Sequence, residues 1–386
     1  MQKKLIAAAV AGALGLPVVA LAQNATVNVY GRAYLEYGFT NQGTSANGLT
    51  NRVNPDAFQS PGSNIGFRGE EKLGGNLSAW FQCESTADMR GQTQDGFCSR
   101  NSAVGLKGGF GNLFMGNWHT PFTRARITPG GNETGNFGTA GLLTGHSTTT
   151  LDGAQPQLFA RRQSNSINYD TPNFGGFQFS AATTTVNNAT NKLQGAPQDK
   201  PRVWSLAGIY NNGPIAASLA YEKHAKFYGT PTWSGDESAW LGGFSYNIAG
   251  RVNVGGMFTE QKWESGPGLS GKVKAWQLGV DWNIAGPHSL LAAYTKAHDV
   301  KGTAVAAVAG GLRPGAGVDT GAVMAQIRYK YALSKRTSTG IGYNQVKNDR
   351  NAGYNINGIG GNGGQGGGNG LGGKHSTIAL FIDHSF

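Results

Sequence analysis

HSTIALFIDHSF, residues His375 to Phe386, ends the sequence, and its alternation decides what the rest of the chain has to build. Ile378, Leu380 and Ile382 share a parity with Phe386, whereas Ala379, Asp383 and Ser385 share the other. A side-chain repeat of two describes a strand with two unlike faces. An apolar face needs an apolar neighbour, either the core of a soluble sandwich or the hydrocarbon of a bilayer. These twelve residues leave both readings open.

The other end of the chain bears on compartment. Lys3 and Lys4 precede an apolar, small-residue run from Leu5 to Leu21, and Ala20-Leu21-Ala22 has the small-x-small form of a signal-peptidase site. The run is near the lower limit for a membrane helix and leads into Gln23-Asn24 rather than a basic stop-transfer patch. Residues 1–22 are therefore expected to be a cleaved signal peptide and 23–386 one exported β-domain. No later stretch approaches the ~18 consecutive apolar residues of a helical span.

Without Lys3 and Lys4 the chain keeps 30 basic residues against 21 acidic ones, a formal charge of +9. The Lys and Arg are dispersed, with no run of five, which argues against a nucleic-acid partner. With 62 Gly and a hydrophobic content of 39%, the 386 residues are too polar for one large soluble core. A membrane barrel resolves the conflict, because half of every strand faces water inside and half faces lipid outside.

Periodicity supports that reading along the whole chain. From 27 to 37, Val27, Val29, Gly31, Ala33, Leu35 and Tyr37 fall on one face, and Asn28, Tyr30, Arg32, Tyr34 and Glu36 on the other. Further strands are expected near 62–70, 77–84, 100–108, 111–117, 162–169, 176–182, 202–210 and 215–222. The series continues near 238–247, 251–260, 274–282, 288–296, 321–332, 337–346 and 375–386. The fold class is all-β: a sixteen-stranded antiparallel transmembrane β-barrel. Turns such as Gly74-Gly75-Asn76, Asn211-Asn212-Gly213-Pro214 and Ala285-Gly286-Pro287 alternate strictly with long polar connections. This is the asymmetry of short periplasmic turns and long extracellular loops. Tyr169, Phe174, Tyr210, Phe244, Tyr246, Trp282, Tyr329 and Tyr331 sit beside the turns, where rings form an interfacial girdle. The third long connection, 118–160, is too long for a hairpin loop and needs a destination. The last, 347–374, holds a Gly and Asn tract from Gly358 to Gly373 and reads as a flexible surface spacer.

Several segments carry a family resemblance. They are Val29-Tyr30-Gly31, the run from Ile65 to Leu77 (IGFRGEEKLGGNL), Arg100 to Phe114 with its Val-Gly-Leu-Lys-Gly core, and Asn165-Ser166-Ile167-Asn168-Tyr169-Asp170-Thr171-Pro172. Tyr331 to Thr337 and the terminal His384-Ser385-Phe386 complete the set. In order and spacing the chain resembles the general trimeric porins of Gram-negative outer membranes, most closely their betaproteobacterial branch.

The resemblance implies three barrels per functional unit, each with a water-filled pore narrowed by an inward-folded third loop, which gives 118–160 its destination. It also implies a ladder of basic residues on the facing wall, at Arg32, Arg68, Arg100 and Arg162. Parity points Arg32, Arg68 and Arg162 into the lumen, Arg162 in phase with Ser164, Ser166 and Asn168. The parity of Val104 and Leu106 turns Arg100 outward, unless a bulge intervenes or this wall faces a trimer neighbour. Gly116-Asn117 stands where relatives often have Gly-Arg, and Arg124 and Arg126 in the loop are candidates to replace the missing cation. Glu133 and Asp152 are candidates to oppose the Arg wall across the pore, with surface carboxylates as the plainer alternative. Terminal Phe386 is implied as the signal read by the outer-membrane barrel assembly machinery.

Cys83 and Cys98 flank the second long loop; adjacent strands and an oxidising periplasm favour a disulfide over free thiols or a metal site. In relatives this loop latches onto a neighbouring subunit. The seven His are dispersed, with no metal or triad pattern, so neither an enzyme nor a cofactor is expected. The expected function is passive, anion-preferring diffusion of small hydrophilic solutes, since a positive ring at a low-dielectric constriction lowers the barrier for anions. Expected partners are a homotrimer, outer-membrane lipid and lipopolysaccharide, the assembly machinery and small anions. Two alternatives stay open: a channel specific for phosphate, a dicarboxylate or a sugar, using lumen aromatics such as Trp80 and Tyr34, and a structural or adhesive surface barrel.

Overall fold

A computed structural model of the chain describes residues 27–41, 43, 56–91, 96–131, 135–138, 159, 161–185, 200–230, 233–303, 316–354, 356 and 371–386. The expected signal peptide at 1–22, Glu133, Asp152 and most of the Gly358–Gly373 tract lie outside the described residues.

The strands are β1 (Asn28–Asn41), β2 (Asp56–Gln59), β3 (Asn64–Gly74), β4 (Leu77–Thr86), β5 (Ser102–Gly108) and β6 (Gly111–His119). They continue as β7 (Arg162–Asp170), β8 (Phe177–Thr184), β9 (Arg202–Asn212), β10 (Ile215–Thr230), β11 (Trp233–Ile248) and β12 (Val252–Gly266). The last are β13 (Leu269–Ala285), β14 (His288–Ala297), β15 (Lys301–Gly302), β16 (Ala322–Ala332), β17 (Thr337–Asn348) and β18 (Lys374–Ser385). β2 and β15 are short loop strands that pair with β1 and β13. The other sixteen form the wall, each antiparallel to the next, and β18 closes the ring on β1 from Arg32↔Ser385 to Asn41↔Ser376. Closure removes every free edge from the wall.

The exposed face decides between sandwich and membrane. On β18, Ile378, Leu380, Ile382 and Phe386 are about half exposed, while Thr377, Ala379 and Phe381 on the other parity are buried. The same inversion holds around the ring, with Val29, Leu106, Leu206, Leu219, Phe258, Leu278, Ile327 and Ile341 outward and exposed. Glu36, Ser205, Thr259, Gln277, Thr295 and Asn344 face inward and are buried. An apolar outside around a polar inside suits lipid, and would be a large exposed patch on a soluble protein. No helix among the described residues is long and apolar enough to cross a membrane. Phe174, Phe244, Tyr246, Trp282 and Tyr331 are exposed beside the short turns, as a girdle requires.

Two organisational expectations change. The connections β10–β11 and β12–β13 are tight, so short and long connections do not alternate strictly. These four strands, of 15 to 17 residues, run on as tall hairpins. Alternation of apolar residues stops at about 222 and 260, but hydrogen-bonded pairing does not need an apolar face. In one row above the apolar band the register sets Lys223, Ser238, Lys262, Lys272 and Lys301 side by side. The last connection is also more than a spacer where it is described. Ala352, Tyr354 and Ile356 are buried in a cluster with Met324 and Val346, and Asn348 Nδ2 donates to Tyr354 O at 2.8 Å.

Candidate functional site: the lumen and its inward loop

The chain leaves β6 at His119 and turns into the barrel. Thr120 caps a four-residue helix, α1 (Pro121–Arg124), its Oγ1 accepting from Thr123 N at 3.3 Å, with Pro121 at the first helical position. Phe122 is fully buried and its backbone N donates to Ser205 Oγ of β9 at 3.0 Å. The segment then follows the inner wall. Ser218 Oγ of β10 donates to Ala125 O at 2.7 Å, and Gln277 Nε2 of β13 donates to Pro129 O at 2.8 Å. Gly279 lets the loop lie this close, since a Cβ there would fall on Pro129 O.

The loop tip is held at the seam of the barrel. Asn136 N donates to Glu36 Oε2 of β1 at 2.9 Å, and Asn344 Nδ2 of β17 donates to Asn136 O at 2.9 Å. Phe137 packs edge-on against Phe381 of β18, ring centroids 6.2 Å apart, and the Arg328 guanidinium lies 5.6 Å from both ring centres. Three buried phenyl groups, Phe122, Phe137 and Phe159, tie the loop to the wall, at about 2–3 kcal/mol each. The return to β7 is fixed at Phe159, which stacks on His224 at 4.7 Å; the two ring nitrogens of His224 lie 2.8 and 2.7 Å from Glu237 and Glu222 carboxylate oxygens. Burial pulls the Arg161 guanidinium below its ordinary pKa, and the carboxylates of Glu222 and Glu237 oppose that shift.

The expected basic residues fall into distinct environments. Arg32 faces the lumen and pairs through Nε with Asp383 Oδ1 at 2.7 Å, its guanidinium 4.4 Å from the Tyr34 ring centre. Arg124 forms a two-pronged pair with Asp170 at 2.9 and 2.8 Å. Arg126 donates to the carbonyls of Thr123 and Gly131, and burial lowers its pKa to about 10, which leaves it charged at neutral pH. Arg68 is exposed on the lumen face, 5.0 Å from the Tyr30 ring centre, and makes no ion pair among the described residues.

Two parity readings are corrected. Arg100 precedes β5, where the chain bends, so strand parity does not govern it. Its Nε donates to Glu84 Oε1 at 2.6 Å, and Glu84 also accepts from Tyr30 on the lumen face. Arg162 is not in phase with Ser166 and Asn168, because a bulge at Asn165 (φ 52°) shifts the register between Gly116 and Trp118. Gln163 is the residue set opposite Trp118, and Arg162 lies opposite His119 with Nε donating to Asn101 Oδ1 at 3.0 Å. Asp383, Glu84, Asp170, Glu36 and Arg328 were not singled out from the sequence. Inward parity marks all five, but only the folded chain shows that Asp383, Glu84 and Asp170 meet arginines and that Glu36 meets the backbone of the loop tip. Cys83 and Cys98 form a disulfide, Cα atoms 4.7 Å apart.

The major outer membrane protein P.IB of Neisseria gonorrhoeae is 32% identical over 190 residues, 49% of this chain and 50% of that protein. The chain thus spans about half the length of the first curated relatives it matches. The anion-selective porin from Comamonas acidovorans superposes with a TM-score of 0.72 at 22% identity, covering 94% of this chain and 100% of that one. The trimer form of OmpT, an outer membrane protein of Vibrio cholerae, superposes at 0.64 with 14% identity, covering 94% and 100%. These two show the fold. The family model described as Gram-negative porin matches residues 7–351, and the chain therefore belongs to the Gram-negative porin family.

Proposed function

We propose that the protein is an outer-membrane channel for passive diffusion of small hydrophilic solutes and ions, with a preference for anions. The observation that carries the preference is Arg68. Asp383, Glu84 and Asp170 each pair with an arginine, whereas Arg68 presents its guanidinium to the lumen and makes no ion pair among the described residues. An uncompensated positive charge inside low-dielectric walls favours anions and repels cations. Arg32, Arg100, Arg124 and Arg126 line or brace the same space and keep it from becoming acidic. Reversal potentials of the purified protein in planar bilayers under a KCl gradient test the reading. Chloride preference is expected; potassium preference overturns it.

The working unit is a homotrimer, as in the trimeric Vibrio cholerae protein of the same fold. Residues 1–22 direct export and are removed. The lysine row above the apolar band meets the phosphates of outer-leaflet lipopolysaccharide, and the exposed Phe386 ring is read by the barrel assembly machinery. Deleting Phe386 should lower the yield of inserted protein and leave conductance unchanged; normal yield would remove that role.

A further inference from the structure

The geometry points to a binding subsite for small aromatic carboxylates in the periplasmic half of the lumen, built from Arg68 and Trp80. It rests on the channel reading and names a solute class for it.

A cavity of 290 Å³ is lined by Asn28, Arg68, Glu70, Trp80, Gln82 and Lys107, all on inward-facing positions, with Gly69 and Phe81 at its margin. The register sets Asn28, Arg68 and Gln82 in one row and Glu70 and Trp80 in the next. Trp80 is thus the diagonal neighbour of Arg68, the two strand positions being about 7–8 Å apart. A carboxylate paired with the Arg68 guanidinium in this cavity would carry its attached ring into the space that the indole also lines.

Three features keep this arrangement ready. Trp80 Nε1 donates to Asn112 Oδ1 at 2.7 Å, so the indole donor is used and the ring is pinned. Gly105 stands beside it on β5, where a Cβ would come within 2.7 Å of Trp80 Nε1, so the ring lies against the wall with Phe114 and Trp118 packed around it. Glu70 is the carboxylate of the cavity, and it is occupied by Lys72 at 2.8 Å and Lys107 at 2.6 Å. It therefore does not neutralise Arg68. A cation, a pinned aromatic face and an excess of ammonium groups select a planar anion over chloride or an aliphatic acid.

Bilayer conductance in KCl with added sodium benzoate, acetate or cyclohexanecarboxylate tests the proposal. Benzoate should reduce the chloride current at concentrations about tenfold lower than either aliphatic acid, from carboxylate pairing plus ring stacking. Trp80→Leu should abolish the advantage of benzoate, and Arg68→Gln should weaken block by all three acids. Equal block by the three acids in the native channel, or a benzoate advantage that survives in Trp80→Leu, overturns the subsite. Should Trp80→Leu fail to insert, the native benzoate-to-cyclohexanecarboxylate ratio and Trp80→Phe, which keeps a ring face and should keep that ratio, decide. Potassium preference in KCl alone, measured before any acid is added, would instead refute the anion-channel reading beneath it.

Discussion

Replacing Arg68 with Gln removes one positive charge from the lumen face and strands no carboxylate, because Arg68 makes no ion pair among the described residues. A hydrated ion moving along this wall passes about 5 Å from the guanidinium, where a unit charge in water is worth about 0.8 kcal/mol. At 0.1 M salt the Debye length of about 10 Å trims this to about 0.5 kcal/mol. That is about a twofold advantage for chloride and an equal handicap for potassium, so the permeability ratio should fall about fivefold in Arg68→Gln. In 1 M salt, with a Debye length of about 3 Å, the change should shrink to less than about twofold. The readout is the reversal potential in KCl gradients at both ionic strengths. The double variant Arg32→Gln with Asp383→Asn is the control, because it deletes an ion pair without changing net charge. An unchanged potential in Arg68→Gln at low salt would refute the reasoning. So would a shift as large in the neutral double variant.

Further outcomes follow from other contacts. Phe137→Ala empties a fully buried site at the loop tip and should cost about 3–5 kcal/mol of local anchoring, seen as noisier and larger single-channel steps. Gly279→Ala should push Pro129 off the wall toward the lumen and lower conductance while keeping selectivity. Cys83→Ser with Cys98→Ser opens a loop closed across 15 residues and should destabilise the protein by about 3 kcal/mol, lowering the temperature at which it loses its folded mobility on gels. Burial, reinforced by Asp299 and Asp319, raises the pKa of Asp349 in the last loop. A carboxyl raised in the folded state is harmless while protonated and costs stability as pH rises through its folded pKa. Asp349→Asn should therefore stabilise the protein near neutral pH, with the gain fading on acidification in a thermal-unfolding series; a gain that grows in acid would contradict it.

Much of the wall was legible from period-two patterning, because a membrane makes the outer face of every strand answer to one solvent. Ile378, Leu380 and Ile382 point where their parity says. Legibility stopped where that solvent stops. Beyond about residues 222 and 260 the outward positions become Lys223, Lys262 and Lys272, and the tall hairpins lose their signature though their pairing continues. Parity also failed at local backbone events: an Asn in the left-handed region at 165 and a bend before Ser102 redirect Arg162 and Arg100. The disulfide followed from hairpin geometry and compartment. The partners of the arginines did not, since Asp383 meets Arg32 across 351 residues of chain and only closure of the ring brings them together.

The placement of the loop tip carries a consequence for the order of assembly. Its anchors lie on β17, β18 and β1, which flank the seam joining the first and last strands, and the contacts of Asn136 span 100 and 208 residues. Long-range contacts of this kind form only after the entropy of closing large loops has been met. Docking of the loop tip is therefore completed with the last strand and not before. An unfinished sheet has a loop with nowhere to dock, and the finished one buries its anchors, so protease access to 120–131 and 135–138 reports whether the two ends of the wall have met. Protection of that segment during refolding should appear together with the heat-resistant closed form; earlier protection would show that the loop docks on an open sheet.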